Sequence, residues 1–333
     1  MTQVCWCQHG SKPFLSSHVT TPLFFKPYRR LATPGSTIIL CAKGARRKSP
    51  AVAKGKKPSV VKQKSTSSVV KDKNPQVPGS KDFPLLDSVG RPSLDQLLKY
   101  ERKGYVCTRR LFTEDEIGSY RSAVEATTNR LELNALRQRV SVLCPGVDAT
   151  QHSAEECRIL LATRATEEVG FLQYINVHQT EEGEAIARLA QSPRLAATAA
   201  TLLGVSRVRL YQTCLFQKVP GHGPTNWHSD LNMVPLDTNH FVTCWIPLRA
   251  IGASNDTGLA FACGSHRDFA LPYWHEMEGY DLAERGYKIE TAGAMALGDA
   301  TWHAGWTLHH APPAPTRAPP RVALAVSFFA AGA

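Results

Sequence analysis

The chain has 333 residues and a formal net charge of +11, a balance that by itself would point to a polyanionic partner. The excess sits at one end: residues 1–80 hold 15 Lys and Arg against one acid, Asp72, whereas residues 81–333 hold 24 basic and 27 acidic side chains. A basic nucleic-acid groove in the main domain loses its support. No apolar run approaches the roughly 18–20 residues of a membrane span, and none of the nine cysteines forms a CxxC pair, which leaves zinc-ribbon and disulfide-scaffold readings weak.

Residues 1–71 contain no Asp or Glu and are rich in Ser, Thr, Lys, Arg and Pro. That composition predicts an organelle transit peptide over residues 1–42, with processing near Cys41. The chloroplast is the expected destination and the mitochondrion the alternative, so the organelle import machinery is an expected partner. Residues 43–82 read as a disordered basic linker, and residues 83–333 as one domain.

Order is expected to begin near Phe83. Ser93 is placed to cap a helix that includes Leu94, Leu97 and Leu98. A short strand, 104–107, follows. Thr113 and Glu116 then have the spacing of a capping box, opening a helix that is expected to run to about Arg130. Two further helices are predicted over 181–190 and 193–203, the second ending at a left-handed Gly204. Beyond Gly204 the texture changes to short β-branched and aromatic runs separated by Pro, Gly and Asn-Asp turns. The runs are 208–211, 214–216, 241–246, 259–261, 294–297 and 322–329. The predicted class is α+β, mainly β, with helices loaded at the N-terminal side of a jelly roll or barrel.

Trp227-His228-Ser229-Asp230 places an imidazole and a carboxylate two residues apart, and alternate residues of an extended chain share a face. One more distant histidine would complete a 2-His-1-carboxylate triad, an arrangement suited to iron(II) with open positions. The segment 298–310 offers three candidates for it, His303, His309 and His310. Arg321, past a Pro-rich bridge, opens the last apolar strand. An arginine entering a core strand is costly unless paired, and a dicarboxylate would pair it through a two-pronged charge-assisted bond.

In this order, Gly104-Tyr105-Val106, Ser192-Pro193, Gln217-Lys218-Val219-Pro220-Gly221, Trp227-His228-Ser229-Asp230, Trp245-Ile246-Pro247-Leu248, Gly264-Ser265-His266, Gly298-Asp299 and Gly305-Trp306-Thr307-Leu308-His309 give the stretch from about Phe83 to Phe329 a family resemblance. It is similar to the phytanoyl-CoA dioxygenase family of iron(II)/2-oxoglutarate oxygenases. The resemblance implies a double-stranded β-helix with the N-terminal helices packed on one sheet. It also implies an iron(II) site of His228, Asp230 and His309, and 2-oxoglutarate held by Arg321 with help from Lys218 and Trp245. Gln212 and Cys214 would face the substrate. Dioxygen would be consumed, and ascorbate would support turnover. Related halogenases replace the carboxylate ligand with a small residue. The retained Asp230 therefore implies hydroxylation, at an aliphatic C–H of a small organic metabolite or acyl derivative. The segments 129–170 and 266–288 are expected to form the substrate rim. A non-catalytic metal- or ligand-binding jelly roll is the alternative reading.

Overall fold

Four helices begin where a side chain accepts an orphan amide of the first turn. In the computed structural model, which describes residues 83–333 apart from 165, 253–256, 269–280, 318 and 333, Ser93 starts α1 (Leu94–Lys103) with a full capping box to Gln96. Gly104 ends it with φ +81°, and a Cβ there would lie 2.4 Å from the Thr307 hydroxyl, so both conformation and space require glycine. The expected transit peptide and linker lie outside the described residues, as does the 269–280 part of the expected rim.

After β1 (Tyr105–Thr108), Thr113 and Glu116 cap α2 (Glu114–Leu143). This helix is longer than expected. Ala135, Leu136, Arg139, Val140 and Leu143 continue the buried face well past Arg130, an i, i+3/i+4 stripe masked in the sequence by interleaved charges. Then come α3 (Ala154–Ala162), α4 (Thr166–Val169), β2 (Leu172–Ile175), α5 (Glu184–Ala190) and α6 (Pro193–Leu203), the last capped by Ser192 and ended by a left-handed Gly204. Arg194 of α6 is buried. It donates to both carboxylate oxygens of Glu116 at 2.7 and 2.9 Å and to the Leu111 carbonyl at 3.0 Å, tying α6 to the start of α2.

The remaining chain is β: β3 (Val208–Lys218), β4 (Thr225–His228), β5 (Phe241–Pro247), β6 (Ala260–Ala262), β7 (Ile289–Thr291), β8 (Ala300–Ala304), β9 (His309–Ala311) and β10 (Arg321–Ala330). Two expectations change. The runs 208–211 and 214–216 form one strand, β3. Residues 294–297 are not a strand: Met295 makes only an isolated bridge to Ile251. Asp299, buried, accepts the Ala296 amide at 2.9 Å, the Arg110 amide at 2.8 Å and the Arg109 guanidinium at 2.8 Å. It holds this segment as a turn and displaces the strand to Ala300–Ala304.

The strands form two antiparallel sheets, one of order β1-β8-β5-β10-β3-β2 and one of order β4-β9-β6-β7. Strand β10 shows how the larger sheet is used. Leu324, Val326 and Phe328 join the core shared with Ile117, Tyr120 and Val124 of α2 and Leu195 and Ala199 of α6. Ala323 and Ala325, on the other face, join Tyr105, Trp245 and Phe261 between the sheets. The Tyr105 and Phe261 rings stack at 4.2 Å across that gap. The small side chain of Ala325 leaves volume open between the sheets. The fold is the expected one, mainly β in α+β company, with the helices on one sheet.

Candidate active site

The inner face of the large sheet is read off its register. Ser327 of β10 pairs with Gln212 of β3 and Thr243 of β5, and Thr243 pairs with His303 of β8. One row therefore runs Gln212, Ser327, Thr243, His303. Farther along the sheet, Lys218 of β3 pairs with Arg321 of β10. Between the rows lie Cys214 opposite Ala325, and Ala325 opposite Trp245. All of these line one cavity of about 490 Å³, within the ordinary range for a small-molecule site.

The smaller sheet supplies the other wall. His228 ends β4 and pairs in register with His309 of β9; Asp230 opens the short 3-10 turn that follows. The ligand atoms of His228, Asp230 and His309 all lie within 4.8 Å of one another. Asp230 Oδ1 is 3.9 Å from His228 Nε2 and 3.7 Å from His309 Nε2. The hydrogen-bond network settles both tautomers: Nδ1 of His228 is 2.7 Å from the Asn226 carbonyl, and Nδ1 of His309 is 2.9 Å from the Thr307 carbonyl. Carbonyls only accept, so each Nδ1 carries the proton and each Nε2 presents a lone pair. Burial lowers the pKa of both rings, which favours the neutral form a metal ligand needs. Burial alone would raise the Asp230 carboxyl, but the His303 hydrogen bond and the surrounding histidines outweigh it and hold the group well below the usual carboxylate range.

The other two candidate histidines stand differently. His310 pairs with Ala260 in the smaller sheet and its ring lies 4.2 Å from Trp227. His303 is on β8, in the larger sheet, so it shares no strand with His309. The turn 305–308 carries the chain from one sheet to the other, and both rings arrive at Asp230. His303 Nε2 lies 3.1 Å from Asp230 Oδ2.

Lys218 and Arg321 are 1% and 2% exposed. Lys218 donates to the Gly223 carbonyl, and the Arg321 guanidinium carbon lies 5.3 Å from the centre of the Trp245 ring. Burial, then the positive charges of Arg321 and Arg139, push Lys218 down to about 7. Cys214, its thiol pushed up to about 12 chiefly by burial, accepts from the Gln173 amide at 3.3 Å. Gln212 lines the cavity beside Ser327. The residues of 129–170 do not line it among the described residues; Phe171, Gln173, Ile175 and Asn176 on one side and Met233, Val234 and Pro235 on another do. The long helix α2 and α3 occupy most of 129–170 and serve the core instead. Thr243, Ser327 and these wall residues escape sequence reasoning, although Thr243 shares strand parity with Trp245, and Ser327 with Arg321.

The donor set fits an iron(II) ion: two neutral imidazole nitrogens and one ionised carboxylate oxygen converge, and three protein ligands leave positions for exogenous ligands. Lys218 and Arg321 bring two buried basic side chains to one end of the cavity, and a carboxylate placed there would pair with both. A family model for phytanoyl-CoA dioxygenase matches residues 100–323. The chain belongs to the phytanoyl-CoA dioxygenase family. Membership makes it an oxygenase-type, 2-oxoglutarate-dependent enzyme. No curated protein sequence matches it.

Solved structures share the fold of this family member. The non-heme alpha-ketoglutarate-dependent carbocyclase SnoK from nogalamycin biosynthesis is 21% identical, with 73% of this chain and 87% of that one aligned at a TM-score of 0.54. The epimerase SnoN in complex with Fe3+, alpha-ketoglutarate and nogalamycin RO is 21% identical over 71% and 83% of the two chains, at 0.51. EctD from S. alaskensis, with 2-oxoglutarate and 5-hydroxyectoine, is 22% identical over 74% and 82%, at 0.52. Among the described residues no helix is long and apolar enough to cross a membrane.

Proposed function

We propose that this enzyme hydroxylates an aliphatic C–H bond of a small organic metabolite or acyl derivative, using iron(II), 2-oxoglutarate and dioxygen. The observation that carries the reading is the convergence of His228 Nε2, His309 Nε2 and Asp230 Oδ1 at one end of a cavity whose other polar end is the Lys218–Arg321 pair. His228, Asp230 and His309 hold the iron. Arg321 binds the far carboxylate of 2-oxoglutarate, Lys218 adds a second positive charge, and Trp245 fixes the guanidinium from one side. When bound, iron(II) couples oxidative decarboxylation of 2-oxoglutarate, giving succinate and carbon dioxide, to oxidation of the substrate C–H bond.

The chain's own part is binding, orientation and exclusion of water. Gln212 and Cys214 are the substrate-facing residues of the large sheet, and Ile175, Met233 and Val234 give the cavity apolar walls. Asp230 favours hydroxylation, since a carboxylate ligand occupies the position where a halogenase would accept halide. Ascorbate is expected to sustain turnover by keeping iron reduced.

The acid-free leader supports delivery to the chloroplast, with residues 1–42 as transit peptide and 43–82 as linker before the catalytic domain. Import of the full chain into isolated chloroplasts, followed by sequencing of the mature N-terminus, tests this; a start near Cys41 is expected, and import into mitochondria alone would overturn it.

The reaction is tested by comparing a chloroplast metabolite extract before and after incubation with enzyme, iron(II), 2-oxoglutarate and ascorbate. A metabolite gaining one oxygen, matched by succinate, is expected. Loss of two hydrogens, or an isomer of unchanged mass, would replace hydroxylation with another oxidative outcome.

A further inference from the structure

Asp230 Oδ1 faces the two ligand histidines, and the other oxygen, Oδ2, is engaged elsewhere. Thr243 Oγ1 lies 2.6 Å from Oδ2, His303 Nε2 lies 3.1 Å from it, and Ser327 Oγ lies 3.0 Å from Thr243 Oγ1. The directions of these bonds follow from chemistry. An ionised carboxylate only accepts. Thr243 must therefore donate its one hydroxyl proton to Oδ2, which makes its oxygen the acceptor for Ser327. His303 must donate through Nε2.

We infer that Thr243 and His303 are positioning residues for the metal centre. They hold Oδ2 away from the ion and leave Asp230 a one-oxygen ligand, while Ser327 orients the Thr243 hydroxyl. The inference rests on the iron reading of His228, Asp230 and His309. His303 thereby has a role that excludes ligation by the same nitrogen: its Nε2 carries a proton and has no lone pair to give a metal. The three histidines divide the work by tautomer. His228 and His309 are protonated on Nδ1 and offer Nε2; His303 is protonated on Nε2 and braces the carboxylate.

The register explains why these residues act as a unit. Ser327, Thr243 and His303 are successive members of one cross-strand row on β10, β5 and β8. The large sheet thus presents a rigid hydrogen-bonding row to the one ligand supplied by a turn of the smaller sheet. Thr243 and His303 are 3% and 1% exposed, so water does not readily replace either donor.

The test is anaerobic titration of the full-length protein and its variants with iron(II), followed by 2-oxoglutarate binding at saturating iron. Thr243→Val and His303→Ala should each weaken iron(II) binding by about 10–100-fold, the usual effect of losing a partner that orients a metal ligand. Binding should remain one ion per chain, and 2-oxoglutarate affinity at saturating iron should hold, because Lys218 and Arg321 are untouched. Thr243→Ser keeps the donor and should restore the affinity, whereas a merely space-filling threonine would be served as well by valine. Wild-type iron affinity in both Thr243→Val and His303→Ala would overturn the inference. So would complete loss of binding in His303→Ala, equal to that of His309→Ala, which would make His303 a ligand. If Thr243→Val does not fold, His303→Ala and Ser327→Ala carry the test. Failure of the wild-type chain to bind one iron(II) would instead overturn the iron site itself.

Discussion

Lys218 and Arg321 are direct cross-strand partners, two buried basic side chains at one end of the cavity. The charges that act on Lys218, those of Arg321 and Arg139, are both positive. A carboxylate placed beside them would pair with both, and the far carboxylate of 2-oxoglutarate is the anion the proposed reaction supplies.

The first prediction concerns pH. Burial and its cationic neighbours place Lys218 at about 7. A dicarboxylate binds the protonated amine better than the neutral one, so binding should draw a proton onto Lys218 from solution. The affinity for 2-oxoglutarate should therefore fall as pH rises through about 7, by up to about tenfold per pH unit for a single linked proton. Calorimetry in buffers of different ionisation enthalpy reads the proton directly. Lys218→Met should bind more weakly and lose the pH dependence; a flat profile in the wild-type protein would deny Lys218 this role.

The second concerns Arg321. Its guanidinium is preorganised against Trp245 and presents a planar fork. Arg321→Ala should cost about 2–5 kcal/mol in 2-oxoglutarate binding, the usual effect of truncating one partner of a buried charged pair. Arg321→Lys should recover only part of it. Steady-state rates against 2-oxoglutarate concentration check this, and an unchanged requirement would remove Arg321 from the site.

The third is a stability prediction away from the chemistry. Arg194 is buried and bonds both oxygens of Glu116, the residue that also caps α2. Arg194→Met should destabilise the domain by about 1.5–3 kcal/mol, the usual contribution of hydrogen bonds to a charged group, because Glu116 is only partly buried. Denaturant unfolding measures it. A change within about 0.5 kcal/mol, the usual range for surface substitutions, would show that the pair does not anchor α6.

How far the sequence carried this account depends on which physical signals are local. The cap at Ser93 and the capping box at Thr113 are legible because each lies within four residues; that Gln96 completes a box with Ser93 is seen only in the structure. His228 and Asp230 stand out in the sequence by residue type and strand parity, and Arg321 as a charge at the head of an apolar strand; the structure brings all three to one cavity. The distal histidine was harder. His303 and His309 share parity in the sequence, but the turn between them moves the chain to another sheet, and parity carries no information across such a turn. Thr243 and Ser327 stayed hidden because a hydroxyl in a core strand has no distinctive pattern; only the register of β5, β8 and β10 brings them to Asp230. The second half of α2 is not legible because its interleaved charged residues obscure a regular buried stripe.

The central claim is that His228, Asp230 and His309 bind an iron(II) that drives 2-oxoglutarate turnover. Asp230 is its most exacting point, since it supplies the only carboxylate of the three ligands. The most direct measurement is iron(II)-dependent release of succinate from 2-oxoglutarate by purified wild-type and Asp230→Ala proteins under identical conditions. The account predicts succinate from the wild type and only background from Asp230→Ala, with the variant folded as judged by its thermal unfolding. Succinate release by Asp230→Ala at the wild-type rate would contradict it.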